Sequence, residues 1–160
     1  MSHEEILKMI EEVGPADTDK LDEIDARVWV FTERPGHMYG GIWQDGSATH
    51  FGGKIRRSIF SVTKTDEGHN KNHDGAEYWP KYTRSRDALK AIRPDNYYPD
   101  FYTGPKGAIV NLCIPFNCEK YGKHAGTCFD SGLMPTEELA EIHAIIQAID
   151  YERQTSRRER

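Results

Sequence analysis

The stretch Ala108-Ile109-Val110-Asn111-Leu112-Cys113-Ile114 (108–114) decides how this chain is read. Val110, Leu112 and Ile114 alternate, and alternate side chains of an extended backbone share one face. Pro115 then closes the run, because proline cannot donate to a strand ladder. A strand with one apolar face needs a cover, so the sequence on either side must supply packing elements. Downstream, a connection holding Cys118 to Lys123 leads to Ala125–Phe129, a candidate antiparallel return.

The cover reads as helices. Thr136 is a helix cap, and Glu137 and Glu138 suit the positive end of a helix dipole. Leu139, Ile142, Ile146 and Ile149 recur at helical spacing and form a buried stripe, while residues 152–160 read as a polar, flexible tail. Upstream, Thr83 or Ser85 can cap a short helix through Ala88, Leu89 and Ile92 that Arg93-Pro94 ends. At the amino terminus, Ser2 and Glu5 make a capping-box pattern ahead of Ile6, Met9, Ile10 and Val13, and Gly14-Pro15 stops that helix. A second helix starts at Asp17 or Thr18 with Leu21, Ile24 and Val28 on one face. Its continuation, Arg27-Val28-Trp29-Val30-Phe31-Thr32, is rich enough in β-branched and aromatic residues to be either helix or strand.

Between these lies a segment rich in glycine and histidine, residues 34–78. Tyr39–Trp43 and Thr49–Phe51 flank Asp45-Gly46, which reads as a hairpin, and Gly40-Gly41 and Gly52-Gly53 point to bulges. Ser58–Thr63 is a further strand candidate, and Thr65–Gly75 reads as an exposed loop. The expected fold class is α/β in the α+β sense: a mainly antiparallel sheet flanked by helices. It is read as a single domain over residues 1–151, with 34–78 as a candidate insertion.

Bulk properties narrow the function classes. A chain of 160 residues with 37% hydrophobic and 11% aromatic content can bury one core. No run approaches the roughly 18 apolar residues of a membrane span, and Met1-Ser2-His3-Glu4-Glu5 has no apolar region of a signal peptide. Three cysteines within 16 residues do not look like a secreted disulfide framework, so a reducing cytoplasm is expected. The net charge of −5 lowers the expectation of duplex-DNA binding. The basic residues Lys54, Arg56, Arg57 and Lys64 would carry any nucleic-acid contact.

The stretch Tyr82-Thr83-Arg84-Ser85-Arg86-Asp87-Ala88-Leu89-Lys90-Ala91-Ile92-Arg93-Pro94 resembles a motif of small phage and prophage proteins. An earlier Leu21-Asp22-Glu23-Ile24 and a later Glu138-Leu139-Ala140-Glu141-Ile142-His143-Ala144 occur in the matching order. The family resembled is the phage ABA sandwich domain. It implies a sheet between helices, a phage origin and hence a place in the host bacterial cytoplasm. It implies no activity or catalytic residue. The length and composition of 34–78 depart from the pattern.

Three constellations could carry chemistry. Cys113, Cys118, His124 and Cys128 supply the thiolates and imidazole of a tetrahedral zinc site, though without a C-x2-C pair, and they are equally the pattern of buried thiols. No other cofactor is expected. His37, His50, His69 and His73 could serve a small metal-dependent hydrolase, with Asp66 and Asp74 near in sequence, or could be a solvated polar loop. A Cys128–His143 nucleophile pair is also conceivable. Finally, Tyr78, Trp79, Tyr82, Arg84 and Arg86 combine stacking faces with guanidinium forks at a helix start. That combination suits a small anionic, nucleotide-like ligand, and it is also ordinary packing. The reading that results is a non-enzymatic phage accessory protein that binds a host protein or a small anionic metabolite. The alternatives are the hydrolase and a virion or assembly component.

Overall fold

The computed structural model describes residues 3–33, 38–42, 48–51, 76–77 and 79–160. The described helices are α1 (His3–Glu12), α2 (Thr18–Glu33), α3 (Arg86–Ile92) and α4 (Glu137–Arg158). The described strands are β1 (Met38–Ile42), β2 (Ala48–Phe51), β3 (Ala76–Glu77), β4 (Tyr98–Gly104), β5 (Gly107–Cys113) and β6 (Cys128–Asp130). They form two antiparallel three-stranded sheets, in the orders β1-β2-β3 and β4-β5-β6. The chain is therefore a mixed α+β protein.

The deciding stretch is the central strand β5. Ala108, Val110 and Leu112 are buried, while Ile109, Asn111 and Cys113 between them are partly exposed. Ile114 extends the ladder, exchanging hydrogen bonds with Gly126 and Thr127 before β6. Helix α4 lies against the buried side. Its first half is buried nearly all round, from Leu139 through Ile146, because it has β5 on one side and α1 and α3 on others. Thr136 caps it by accepting the N–H of Leu139, as its sequence predicts. Ile6 and Ile10 of α1 and Ile24 and Val28 of α2 complete the core.

Two local readings are settled by packing. Helix α2 runs unbroken through the stretch Arg27–Thr32. Its position against α1 lets Val28, Trp29 and Val30 all bury as helix residues, which outweighs their β preference. The predicted hairpin forms as β1–β2, and its register shifts between Tyr39 and Gly41, where the glycine pair predicts a bulge.

Two expectations are corrected. The carboxy-terminal helix continues to Arg158, so residues 152–158 are helical. Arg153 donates to the carbonyl of Phe31 at 2.7 Å and lies 4.4 Å over its ring, which ties this part of the helix to α2. Residues 98–104, to which the sequence reading assigns no strand, form β4. It pairs with β5 along its whole length across the two-residue turn Pro105-Lys106. Gly107 closes that turn at φ 137°, and a side chain there would meet the carbonyl of Met134 at 2.1 Å. The strand candidate 58–63 and the turn at 45–46 lie outside the described residues.

Candidate functional site

The expected aromatic and arginine cluster folds inward. Asp25 sits on the buried face of α2 and is fully inaccessible. Its carboxylate accepts the backbone N–H of Thr83 at 2.6 Å, the Thr83 hydroxyl at 3.0 Å and the Arg84 guanidinium at 3.0 Å. One turn earlier, Asp22 accepts from Lys81 at 2.9 Å and also from Arg84. Four residues (Asp22, Asp25, Thr83 and Arg84) thus clamp the 3-10 turn Tyr82–Arg84 onto α2.

The electrostatics follow burial. Burial pushes the Asp25 carboxyl up and outweighs the hydrogen bonds of Thr83 and Arg84, so it stays above the usual carboxylate range. Asp22 is also pushed up by burial, but Arg84 and Lys81 prevail and hold it below that range. Tyr82 is sealed in the core. Burial and then the charge of Glu33 lift its phenol to about 12, against a hydrogen bond from Thr32.

The anion-site reading of this cluster is corrected accordingly. Trp79 and Tyr82 are buried and offer no stacking face. Arg84 is held by two carboxylates. Arg86 pairs with Glu137 at 3.2 Å and lies 4.3 Å over the ring of Phe101. Ser85 uses its hydroxyl to cap α3 through Ala88. Tyr78 lies outside the described residues. The charge of each guanidinium is thus already matched by a protein carboxylate, which weakens its pull on an anion.

The zinc set is corrected as well. Cys113 and Cys128 stand directly opposite each other on β5 and β6 and are joined as a disulfide, with Cα atoms 4.1 Å apart. Two of the four thiolate or imidazole ligands are thereby used up. The free Cys118 packs half-buried against the core, as small apolar groups do. His124 bonds through Nδ1 to the Tyr151 hydroxyl. Among the described residues no group of three or more His, Cys, Asp or Glu side chains is placed to hold a metal ion. The disulfide also departs from the all-thiol state expected from an odd cysteine count.

The nucleophile pair does not assemble. Cys128 is bonded to Cys113, and His143 is buried between α1 and α4. There its Nε2 meets Glu11 at 3.0 Å and its Nδ1 meets the Gln147 amide at 2.9 Å. The Gln147 amide nitrogen donates to Nδ1, which leaves Nε2–H to donate to Glu11, so both ring nitrogens are engaged by protein groups. His37, His69 and His73, with Asp66 and Asp74, lie outside the described residues, as do Lys54, Arg56, Arg57 and Lys64. Of His50 only its place in β2 is described.

Among the described residues, the other face of the β4–β5–β6 sheet is open to solvent. Register places Tyr98, Cys113 and Cys128 in one row across it, Asp100, Asn111 and Asp130 in the next, and Tyr102 with Ile109 in the third. Tyr98 is 62% exposed and Tyr102 59%. Asp100 lies between them on the same edge strand, exposed and without an ion-pair partner among the described residues. No local pattern in the sequence marks Tyr98 and Tyr102 as a pair. Their common face required strand β4, and so did the placement of Asp100 between them.

No protein-family model, curated protein or solved structure matches the chain. No helix among the described residues is long and apolar enough to cross a membrane.

Proposed function

We propose that the chain is a non-enzymatic accessory protein that binds a basic segment of a partner protein on the outer face of the β4–β5–β6 sheet. The observation that carries this is the exposed Tyr98–Asp100–Tyr102 edge, with Asp130 in the same row as Asp100. Tyrosine supplies large contact area at low entropic cost and is enriched at binding hot spots. Its ring also attracts the cations that an adjacent carboxylate would pair. Binding is favoured over catalysis because Arg84 and His143, two side chains suited to chemistry, are each bonded inside the fold.

The phage origin, the helix–sheet–helix layering and the host-cytoplasmic setting rest on the resemblance carried by residues 82–94 and 138–144. In that setting the partner is a host protein. Cys113 and Cys128 would there stand as facing thiols or as a transient bond, with the same strand register.

The test is immobilised protein challenged with lysine- and arginine-rich peptides and with acidic peptides of equal length. A Tyr98→Ser/Tyr102→Ser variant of unchanged melting temperature is run in parallel. Basic peptides should be retained, and retention should fall about tenfold in the variant. Equal retention of both peptide classes, or an unaffected variant, overturns the reading. The virion-component alternative is checked by looking for the chain in purified particles.

A further inference from the structure

We propose a second binding site, for a ligand carrying more than one phosphate, in the cleft at the carboxy-terminal end of α4. The cleft has a volume of about 380 Å³ and is lined by Ile149, Glu152, Arg153, Ser156, Arg157 and Arg160. That is within the range of small-ligand sites, roughly 300–1,000 Å³.

Three of the six described lining residues are arginines, and they are set differently from Arg84 and Arg86. Arg153 is held in place by the Phe31 carbonyl and ring, so its orientation is fixed before any ligand arrives. Arg160 folds back to donate through Nε to the Ser156 carbonyl at 3.2 Å, leaving its terminal nitrogens for another partner. Arg157 is exposed and has no carboxylate partner among the described residues. Glu159, the other acid of this last turn, lies 3.9 Å from His124 and does not line the cleft.

The helix dipole does not account for this much positive charge. It places about half a unit of negative charge at a helix carboxy terminus. Residues 151–160 hold Arg153, Arg157, Arg158 and Arg160 against Glu152 and Glu159, an excess of two positive charges. Burial lowers the pKa of Arg153, with Asp150 opposing and Arg157 lowering it further, so Arg153 and Arg157 repel each other. An anion between them removes that repulsion.

The spread of the cations selects the ligand. Arg153 and Arg157 are one turn apart, about 6 Å along the axis, and Arg160 closes the end. A single oxyanion meets one or two such forks, whereas a diphosphate reaches all three with paired N–H···O bonds. The apolar Ile149 and the Ser156 hydroxyl suit an organic group esterified to it. This site shares no residue with the sheet face proposed above, and the two proposals stand or fall separately.

Calorimetry with pyrophosphate, ADP and orthophosphate on the full chain tests the proposal. Pyrophosphate and ADP should bind, orthophosphate at least about tenfold more weakly, and affinity should fall with salt. The Arg157→Ala/Arg160→Ala variant leaves the Arg153–Phe31 tie intact and should lose at least about tenfold in affinity. Arg158→Ala removes a charge outside the cleft lining and should bind within about threefold of wild type. The proposal is overturned if the wild-type chain shows no heat and no thermal shift with millimolar pyrophosphate. It is equally overturned if citrate matches pyrophosphate, if the double variant binds normally, or if Arg158→Ala loses as much as the double variant.

Discussion

Asp25 shows how one buried acid can redirect a whole cluster. It collects three hydrogen bonds from the turn Tyr82–Arg84, and without it the Thr83 amide is left buried and unsatisfied. Asp25→Ala should cost about 3 kcal/mol, the range for breaking a buried charge-assisted pair, and chemical denaturation should show it as a lower midpoint. A loss under about 1 kcal/mol would mean the clamp is not structural. Tyr82 has a pH signature. Its folded pKa, about 12, lies above the ordinary value of 10.0, so the folded state holds the proton more tightly than the unfolded chain does. The stabilisation is complete below pH 10 and is lost as pH rises towards 12, on the order of 3 kcal/mol over that window. Tyr82→Phe should flatten that part of a stability–pH curve, and an unaltered slope would refute the assignment. In the sequence, Asp25 could be seen to fall between Leu21 and Val28 on the apolar stripe, but its partners 58 and 59 residues away could not.

Among elements, the β5–β6 pair and helix α4 carry the most testable content. The Cys113–Cys128 bond closes a loop with a sequence separation of 15. Chain-entropy arguments put a loop of that size at about 3 kcal/mol. Cys113→Ser/Cys128→Ser should therefore melt lower than the oxidised wild type and match the reduced protein. Peptide mapping without reductant should recover 113 linked to 128. Recovery of three free thiols from air-equilibrated protein would remove the bond from the account. Deleting residues 152–160 should cost about 1–2 kcal/mol, because Arg153 bonds to Phe31 in a half-buried setting. A truncated chain with unchanged melting would restore the flexible-tail expectation. Strand β4 was illegible for a definite reason. Aromatics fall on both of its faces, Pro99 and Pro105 read as turn residues, and no period-two pattern survives.

For the molecule as a whole, the helices α1, α3 and α4, the strand β5 and the β1–β2 hairpin follow from capping residues, periodicity and turn residues. Each of those signals is local: Ser85 and Thr136 cap their own helices, and Val110 and Leu112 alternate within one strand. The candidate sites were not legible in the same way. Composition pointed to Arg84, Arg86 and the cysteines as chemistry, and tertiary pairing turned them into clamps and a crosslink. What the sequence by itself determined is where backbone hydrogen bonds close and which side chains seek the core, since both depend on neighbours a few residues apart. Only the tertiary structure decided which charges are neutralised and which stay free. Coulomb and hydrogen-bond partners are set by distance in space, and Asp25 meets Arg84, as Phe31 meets Arg153, across stretches of chain that no local pattern spans.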